Sequence, residues 1–291
     1  MKGVIFVNAF RVPKESVHFA ERLQSELSNF NVNAEIVYNG YTDNLIADGK
    51  IKNGVACDFA VFLDKDKYLS ACLEKSGVRL FNRHNAIRTC DDKGETFIAL
   101  SGKGLNLPDT VFAPVCYNKD LPLDETGLKI VADKLGYPIV VKTSFGSMGK
   151  GVFKADGFNE LKALAEEHKT TPHIYQRYLP YKIGTDVRLI VVGGKFLCAM
   201  IRENKNDFRS NVALGGKGRA FSPSVEFIAA AEKCAEILGL DYCGVDLLFG
   251  ENGKPYVCEV NSNAFIGEIE KVTGVNVAKA YAEHIVSTLN R

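Results

Sequence analysis

Short apolar runs alternate with stretches of helical periodicity through the first hundred residues. Between Val17 and Phe30, for example, apolar side chains recur every three or four positions, the spacing of one buried helix face. Alternation of this kind predicts a parallel sheet with helices on its faces. The predicted strands are Val4–Phe10, Ala34–Tyr38, Phe59–Leu63 and Arg79–Phe81, and the predicted helices are Val17–Phe30, Tyr68–Lys75 and His84–Ser101.

The pattern changes near Gly102-Lys103-Gly104, where we place a domain boundary. Farther along, two long strand-like runs are separated by Gly193-Gly194, a signal for a two-residue hairpin turn. The whole pattern is typical of an α/β protein. The predicted strands are Ile139–Thr143, Val152–Ala155, His173–Leu179, Asp186–Val192, Lys195–Glu203, Cys243–Leu248 and Pro255–Asn261, and the predicted helices are Asp124–Leu135, Phe158–His168, Ser224–Leu238 and Val277–Leu289.

Composition narrows the class of protein. The chain has 291 residues, 46% hydrophobic and 24% charged, so we expect a packed globular protein of two or three units. A net charge of +1 argues against general nucleic-acid binding. No apolar run reaches the roughly 20 residues that cross a bilayer, so no membrane partner is expected. The apolar start is interrupted by Asn8 and Arg11 without a small-residue cleavage site, which favours a buried strand over a signal peptide.

Cysteine and histidine positions exclude several kinds of site. The eight cysteines include no C-x-x-C pair, which argues against zinc and thioredoxin-type sites. Free thiols among apolar neighbours fit a reducing compartment, and we expect a cytoplasmic protein. A catalytic cysteine stays open as an alternative. None of the five histidines stands in a motif with a nucleophile or metal partner, and His18 and His284 are expected at the surface.

Lys142 ends an apolar run and is followed at once by a glycine-rich segment, Ser144–Gly151. This is not a Walker A loop, because Gly149-Lys150 is followed by glycine rather than Ser or Thr. A dinucleotide-binding fingerprint is also excluded, because it would follow the first strand, where this chain has no glycine. A protein-kinase loop is excluded because it would precede the strand that carries the lysine, whereas here it follows Lys142. Two interpretations stay open: a simple connection between strands, or a mobile loop whose amides close over phosphates beside Lys142.

Three oxygen-bearing side chains stand on the last two strand-like runs. Glu259 and Asn261 are two positions apart, so both point to one face of their strand, and Asp246 lies on the preceding run, which could pair with it. Such oxygens are the ligands that Mg²⁺ prefers. The alternative is a capping or turn role, but an unpaired carboxylate in an apolar strand would be costly. The sequence therefore predicts a metal site at these three residues.

The segment from Lys182 to Arg219 carries eight Lys or Arg and three acidic residues, a local charge of +5. It is either a solvated basic strand pair or a pocket for phosphates and an anionic substrate. Arg188 and Arg202 have mostly apolar neighbours, and a guanidinium group binds phosphate or carboxylate through two parallel hydrogen bonds. These two arginines are therefore the candidate functional members of the segment.

In order and spacing, these motifs resemble the ATP-grasp superfamily, and within it the RimK-like ligases. The resemblance covers roughly Arg83 to Arg291, and the combination is far more specific than any one motif. It implies a pre-grasp α/β domain at 1–102, a central lid subdomain at 103–179 and a C-terminal subdomain with the metal site at 180–291. The matching segments are Asp92-Lys93, Ile139–Lys142, Gly146–Gly151, Gln176–Leu179, Gly184–Arg188, Phe208–Asn211, Gly244–Asp246 and Glu259–Ser262.

The resemblance also implies roles for individual residues. Lys93 and Lys142 would contact ATP phosphates and Arg202 would stabilise the transferred phosphate, so Arg202 and Lys142 are the predicted catalytic residues. Further nucleotide contacts are implied for Ser147, Met148, Gln176, Arg177, Tyr178, Leu179, Asp186, Arg209, Ser210 and Asn211. The implied ligands of Mg²⁺, or of Mn²⁺ in its place, are Asp246, Glu259 and Asn261, and the implied substrate contacts are Arg188, Arg202 and Asn263.

Two positions depart from the family pattern. Many relatives have Gln-Glu-Tyr where the chain meets adenine, whereas this chain has Gln176-Arg177-Tyr178, so backbone carbonyls would have to specify the base. Relatives often continue Asn-Ser-x-Pro-Gly after the metal ligands, whereas this chain has Asn261-Ser262-Asn263-Ala264-Phe265. The second departure lies near the acceptor end of the site and therefore bears on which substrate is bound.

The leading hypothesis is an ATP- and Mg²⁺-dependent ligase that joins a carboxylate to an amine through an acyl phosphate, releasing ADP and phosphate. Because relatives often transfer glutamate, an acidic amino acid is the expected substrate, and the acceptor is a small molecule or a peptide. The alternative is a small-molecule kinase that uses the same phosphate site. A nucleotide-binding regulator without turnover is disfavoured by the intact metal ligands. A homo-oligomer is left open.

Overall fold

The structure, a computed structural model, describes residues 1–10, 13–40, 45–52 and 55–290. Arg11, which is predicted to interrupt the first apolar run, lies outside these residues. In the part of the chain that the structure describes, no helix combines the length and apolar character needed to cross a bilayer. All eight cysteines are free thiols, of which Cys90, Cys198, Cys234 and Cys243 are buried.

The N-terminal unit is a parallel sheet with helices on its faces, as the alternating pattern predicts. Its elements are β1 (Lys2–Val7), α1 (Lys14–Asn29), β2 (Asn33–Tyr38), β3 (Leu45–Ala47), β4 (Lys50–Lys52), β5 (Phe59–Phe62), α2 (Lys67–Lys75) and β6 (Arg79–Phe81). The sheet order is β2-β1-β5-β6, and β3 pairs with β4 separately. Strands β1 and β5 are apolar on both sides because α1 covers one face of the sheet and α2 the other.

One predicted helix proves to be two. The pattern predicts a single helix over His84–Ser101, whereas the structure has α3 (His84–Asp91) and α4 (Lys93–Leu100). Asp92, between them, has an extended backbone, and its carboxylate accepts hydrogen bonds from two amides in the first turn of α4. An aspartate that caps a helix in this way starts a new helix and ends the previous one. The break places Lys93 at the first position of α4.

The central unit carries an antiparallel sheet. Its elements are β7 (Thr110–Phe112), α5 (Glu125–Leu135), β8 (Ile139–Thr143), β9 (Val152–Ala155), α6 (Phe158–His168) and β10 (His173–Arg177). The sheet order is β7-β10-β8-β9, and apolar residues of α5 and α6 pack on one of its faces. Strand β7 is absent from the sequence prediction because three residues are too few to show an alternation.

The C-terminal unit is a five-stranded antiparallel sheet with the order β13-β12-β11-β14-β15. Its elements are β11 (Thr185–Val192), β12 (Lys195–Glu203), β13 (Lys217–Ala220), α7 (Val225–Leu238), β14 (Tyr242–Phe249), β15 (Pro255–Asn261), α8 (Gly267–Thr273) and α9 (Val277–Leu289). Gly193 and Gly194 form the predicted turn between β11 and β12, with φ of 57° and 76°, as a type I′ turn requires. In β15, Cys258 is the extra residue of a bulge, because Asp246 pairs with Glu259 and Leu247 pairs with Val257.

Asn82 joins the N-terminal unit to the C-terminal sheet. It follows β6 and is 1% exposed. Its Nδ2 donates to the carbonyls of Tyr242 and Ser262 at 2.8 and 2.9 Å, and its Oδ1 accepts from the amides of Asp241 and Tyr242 at 2.7 and 3.0 Å. One buried side chain thus satisfies polar backbone groups at the ends of β14 and β15.

The last helix also contacts the N-terminal unit, since α9 packs against α1 in the same core cluster. This contact corrects one expectation: His284 of α9 is half-buried rather than at the surface, with its Nε2 3.0 Å from Oδ1 of Asp241, while His18 is exposed as expected. The predicted α/β class is confirmed. The three larger sheets fall within the ranges 1–102, 103–179 and 180–291, and the domain boundaries themselves stay a prediction.

Candidate active site

A cleft between the central and C-terminal sheets gathers most of the predicted nucleotide-site residues. It encloses about 1020 Å³, including its open mouth. Four predicted residues, Met148, Arg188, Asn261 and Asn263, line a second cavity instead. The predicted residues on the cleft wall are Lys93, Lys142, Ser147, Gln176, Arg177, Tyr178, Leu179, Asp186, Arg202, Arg209, Ser210, Asn211, Asp246 and Glu259.

Two lysines present ammonium groups to this cleft, and both are more than nine-tenths buried. Nζ of Lys93 donates to the carbonyl of Gly146 at 3.0 Å and lies 3.4 Å from Oε1 of Glu259. Within the described residues, Nζ of Lys142 has a single polar contact, 3.9 Å to Sγ of Cys258. A buried ammonium group with so few acceptors is suited to an anionic ligand.

The glycine segment, Ser144–Gly151, contacts side chains on both sides of the cleft through its carbonyl groups. Besides the Gly146 contact, the carbonyl of Gly149 accepts a hydrogen bond from Nη1 of Arg209 at 3.0 Å. Gly149 has a φ of 75°, and a side chain there would come within 2.7 Å of Oδ1 of Asn211. The segment therefore requires glycine at the point where it meets the C-terminal sheet.

The segment Gln176–Leu179, at the end of β10, forms the wall predicted to meet adenine. Gln176 is 2% exposed and donates to Oγ1 of Thr110 at 2.9 Å. The Arg177 guanidinium makes its described contacts at the surface, with Asp109 at 2.9 Å and with a backbone carbonyl of α5. The Arg177 guanidinium is thus occupied by partners at the surface, and the expectation that backbone groups specify the base stays a prediction.

Asp186, Arg188, Arg202 and Asp246 form one buried charge network on the sheet. Nε and Nη2 of Arg202 bind the two oxygens of Asp186 at 2.7 and 2.5 Å, and Nη2 also lies 2.9 Å from Oδ2 of Asp246. Nε and Nη2 of Arg188 bind both oxygens of Asp246 at 2.7 Å. The pairing follows from the antiparallel register, which sets Asp186 opposite Arg202 and Arg188 opposite Asp246.

Burial and charge pairing act in opposite directions on the pKa values of this network. Burial alone would raise the pKa of Asp246, but Arg188 and Arg202 outweigh it and hold that pKa below its ordinary value. Burial alone would lower the pKa of Arg202, but Asp186 and Asp246 raise it instead. Asp246 is therefore anionic and Arg202 cationic at neutral pH, and each fixes the position of the other.

The three predicted metal ligands lie close together, but they are not equally available. Asp246 pairs with Glu259 across β14 and β15, and Nδ2 of Asn261 lies 3.5 Å from Oδ2 of Asp246. The Asp246 side chain is 4% exposed and both of its oxygens contact arginines, whereas the Glu259 side chain is 25% exposed.

A hard cation such as Mg²⁺ fits this oxygen donor set. Glu259 and Asn261 can offer oxygens directly, whereas Asp246 would exchange an arginine contact for the ion. In the described residues, no group of three His, Cys, Asp or Glu is placed to hold a metal ion.

Cys258 is a wall residue that sequence reasoning missed. Strand alternation alone would place it on the face opposite Glu259, but the bulge in β15 lets both side chains line the cleft. Burial raises the pKa of the Cys258 thiol, so it is neutral at physiological pH. A bulge leaves no signal in a single sequence, which is why this residue could not be predicted.

Most residues of the candidate site lie in a segment that matches a known protein family. Residues 107–285 match the RimK-like ATP-grasp domain. The chain belongs to the RimK-like ATP-grasp family. The matched region contains the glycine segment, the wall at Gln176–Leu179, the charge network and both strands of the predicted metal site, so the sequence-based resemblance is confirmed.

Curated relatives of the chain include ligases and synthases. The chain is 37% identical over 229 residues to beta-citrylglutamate synthase B from Danio rerio, covering 78% of this chain and 55% of that protein. It is 33% identical over 228 residues to N-acetylaspartylglutamate synthase A from Homo sapiens, covering 78% and 57%. A probable alpha-L-glutamate ligase from Maridesulfovibrio salexigens is 36% identical over 216 residues, covering 73% and 68%. The chain spans about half the length of the first two relatives.

Solved structures show the same fold at low sequence identity. D-alanine–D-alanine ligase from Bacillus anthracis has a TM-score of 0.76 and 21% identity, covering 100% of this chain and 98% of that one. A RimK domain ATP-grasp protein from Sphaerobacter thermophilus has a TM-score of 0.73 and 18% identity, covering 98% and 100%. The described chain therefore has the ATP-grasp fold.

Proposed function

We propose that this protein is an ATP-dependent ligase that joins a carboxylate to an amine through an acyl phosphate. The observation that carries the proposal is that the nucleotide cleft and the second cavity meet at Arg202 and Glu259. A phosphate-binding cleft that opens onto a separate cavity suits transfer of a phosphoryl group to a substrate bound next to ATP.

ATP is proposed to lie in the cleft with its phosphates between Lys93, Lys142 and the amides of the glycine segment. The two buried ammonium groups, with few acceptors of their own, support this placement. The remaining nucleotide contacts are proposed for Ser147, Met148, Gln176, Arg177, Tyr178, Leu179, Asp186, Arg209, Ser210 and Asn211, with Arg177 acting through its backbone.

Mg²⁺, or Mn²⁺ in its place, is proposed to bind Glu259 and Asn261, with Asp246 at the same position of the sheet. A bound divalent cation supplies neutralisation of phosphate charge. The role of Asp246 in the protein itself is to hold Arg188 and Arg202 at fixed positions beside the phosphates.

The proposed reaction has two steps. A carboxylate oxygen of the substrate attacks the γ-phosphorus of ATP, ADP leaves, and Lys142 and Arg202 stabilise the negative charge on the transferred group. The amine, an ammonium ion at neutral pH, first loses one proton. Its nitrogen then attacks the carbonyl carbon, the carbon–oxygen bond to phosphate breaks, and a second proton leaves the nitrogen to give the amide. The glycine segment over the cleft keeps water away from the acyl phosphate. No side-chain nucleophile is required.

The names of the relatives guide the choice of substrates. We propose L-glutamate, or another acidic amino acid, as the amine and a small carboxylate such as citrate or N-acetylaspartate as the acceptor. The basic segment offers less support for this choice than its composition implied, because Arg188, Arg202 and Arg209 all have carboxylate partners. A cytoplasmic location is proposed from the eight free thiols.

The test is an assay of purified protein with ATP, Mg²⁺, L-glutamate and either citrate or N-acetylaspartate. The expected result is release of ADP and phosphate in equal amounts, with a product whose mass equals both substrates less one water. A stable phosphorylated carboxylate without an amide would instead establish the kinase alternative. No ADP release with a panel of acidic amino acids and carboxylates would contradict both.

A further inference from the structure

The second cavity lies beside the nucleotide cleft and has walls from two units of the protein. It holds about 1650 Å³, including its opening, and shares Ser147, Arg202, Asn211 and Glu259 with the cleft. Another part of its wall comes from the N-terminal unit, namely the start of α1 and the residues directly after β5. A substrate bound here would therefore contact residues far outside the sheet that carries the charge network.

Every Lys and Arg on the walls of this cavity is paired with a carboxylate, whereas some carboxylates on the same walls have no cationic partner among the described residues. Asp64, directly after β5, has no cationic partner in the part of the chain that the structure describes. Each cation has a carboxylate within 2.7 Å or less: the pairs are Arg188–Asp246, Arg202–Asp186 and Lys65–Asp91. The cavity therefore offers a free negative charge rather than a free positive one.

Two other acids on the cavity wall also lack a cation among the described residues, but their surroundings differ. Glu15 and Glu268 lie in the first turns of α1 and α8, where backbone amides favour a negative charge without any ligand. Glu15 is also exposed to solvent. Asp64 lies in a loop, so no helix terminus stabilises its negative charge. A cationic group of a ligand would stabilise it.

Asp64 stands at the carboxyl edge of the N-terminal sheet, the edge at which parallel α/β sheets bind ligands. Its carboxylate accepts hydrogen bonds from Nδ2 of Asn39 at 2.9 Å and from the amide of Lys65 at 2.8 Å, and longer ones from Nδ2 of Asn8 at 3.3 and 3.5 Å. All of these donors are neutral. Burial raises the pKa of Asp64, so a nearby cation would stabilise its ionised form.

Asn263 supplies a second acceptor next to Asp64. Its Nδ2 donates to the carbonyl of Asp64 at 2.8 Å, and this contact fixes which way the amide group points. Its Oδ1 is buried and has no hydrogen-bond partner among the described residues. Buried side-chain oxygens nearly always have a donor in folded proteins, so this oxygen is able to accept an N–H group of a bound ligand.

We propose that Asp64 and Asn263 bind the ammonium group of the amino acid that serves as the amine substrate. An ammonium group carries a positive charge and three N–H donors, which matches one unpaired carboxylate and one unpaired amide oxygen. Lys65 and Arg188 line the same cavity, but both are paired with carboxylates, so the ammonium group is the part of the substrate that the unpaired charge of the cavity selects. The inference rests on the proposed function. It states that Asp64 of the N-terminal unit recognises the ammonium end of the amino acid.

The test compares wild-type protein with Asp64→Asn, which keeps the shape of the side chain and removes its charge. Binding of L-glutamate and of glutarate is measured by calorimetry with Mg²⁺ and a non-hydrolysable ATP analogue present. Glutarate has the same two carboxylates and no amino group. We expect Asp64→Asn to weaken L-glutamate binding about tenfold or more and to leave glutarate binding within about twofold of wild type.

Glu268→Gln is the matched control, because it removes one charge from the same cavity at another part of its wall. It should leave L-glutamate binding within about twofold of wild type. Three results overturn the assignment: wild-type protein that does not bind L-glutamate, Asp64→Asn that binds it as wild type does, or an equal loss for L-glutamate and glutarate.

Trapping with hydroxylamine, a small neutral amine, separates this inference from the proposed function. Wild-type protein with ATP, Mg²⁺ and the acceptor carboxylate should form a hydroxamate, and Asp64→Asn should form it at a similar rate, because activation of the carboxylate does not need the ammonium site. If wild type forms no hydroxamate, the proposed function fails while the binding result stands. If only Asp64→Asn loses hydroxamate formation, Asp64 acts in activation and the assignment is wrong.

Discussion

The two walls of the nucleotide cleft are built in different ways. On the C-terminal sheet, charged side chains bind one another, and Arg202, 3% exposed, is held by one aspartate from β11 and one from β14. On the central unit, the glycine segment reaches across the cleft through the carbonyls of Gly146 and Gly149, which contact the ends of two cationic side chains. Ion pairs between side chains of the sheet hold the first wall in place. The second wall is held by hydrogen bonds from Lys93 and Arg209, and a bound phosphate can take the place of these carbonyl acceptors.

This difference separates two tasks that a phosphoryl-transfer site must perform. Charges that stabilise a transition state act best when they are in position before the reaction begins, which the network on the sheet ensures. A cover must open to admit ATP and close to exclude water, which a glycine-rich segment allows. The comparison therefore predicts that changes in the sheet affect stability and chemistry, whereas changes in the segment affect access.

The largest expected effect is on the fold, from Asp246→Asn. The change leaves the buried Arg202 and the half-buried Arg188 each with one anionic partner fewer, and breaking a buried pair in this way costs about 3–5 kcal/mol. Urea unfolding at neutral pH measures the loss.

The contribution of Asp246 to stability should also depend on pH. Because the pKa of Asp246 is held below its ordinary value of 3.8 in the folded protein, its contribution to the free energy of unfolding is complete above that value and is lost as the pH falls through the folded pKa. The gap between variant and wild type should shrink at acid pH, and a variant as stable as wild type at neutral pH would show that the network does not stabilise the sheet.

Glu259→Gln should leave the fold intact and lower turnover by a factor on the order of 100 or more, because it removes the accessible negative charge at the proposed metal site. ADP release and thermal unfolding are the two measurements. Glu251→Gln, on an exposed turn after β14, is the control that changes charge away from the cleft. Turnover near the wild-type rate in Glu259→Gln would remove this carboxylate from the mechanism.

Lys142→Ala should weaken ATP binding and turnover together, by about 10- to 100-fold, because a buried ammonium on a strand meets phosphate with little loss of side-chain freedom. Nucleotide titration and ADP release test this. Lys154→Ala is a suitable control: it lies on the neighbouring strand β9, and its ammonium pairs with Asp156 at the surface. A variant with weaker turnover but unchanged ATP binding would place Lys142 in the chemical step alone.

Hydrogen exchange should distinguish the two walls directly. Amides of 145–150 are expected to exchange at least several-fold more slowly with ATP and Mg²⁺ than without, because the ligand closes the segment over the cleft. Amides of β11 and β14 should exchange slowly in both states. Equal exchange of 145–150 with and without ATP would mean that the segment is a rigid connection between β8 and β9.

The smallest expected effect is that of Arg177→Ala, which should change ATP binding by less than about twofold. Its guanidinium pairs with Asp109 at the surface, and exposed pairs of this kind contribute little. Nucleotide titration of the variant is sufficient. A larger loss, absent in Asp109→Ala, would show that the guanidinium turns inward to the base and that the adenine wall does not depend on backbone groups alone.

The parts of the site that the sequence predicted are those encoded locally. Lys142, the glycine segment and the pair Glu259 and Asn261 follow from spacing along one or two strands. The break at Asp92 was also readable, because Asp92 followed by Glu95 is a capping signal that the helical periodicity concealed.

What could not be predicted depends on register and on distant contacts. The partners of Arg188 and Arg202 are set by how β11 aligns with β12 and β14, and these partners lie up to 58 residues away. The contact between Asn263 and Asp64 joins residues 199 positions apart. No periodicity in a single chain reports such pairs, so the second cavity became visible only in the structure.

The four hydrogen bonds of Asn82 have a consequence for the geometry of the proposed attack. They attach the unit that carries Asp64 to the strands that carry Asp246 and Glu259, so the position of Asp64 relative to those strands is set by the fold and not by the nucleotide. In the proposed complex, the fold therefore also sets the distance from the attacking nitrogen to the acyl carbon, and binding of ATP does not change it.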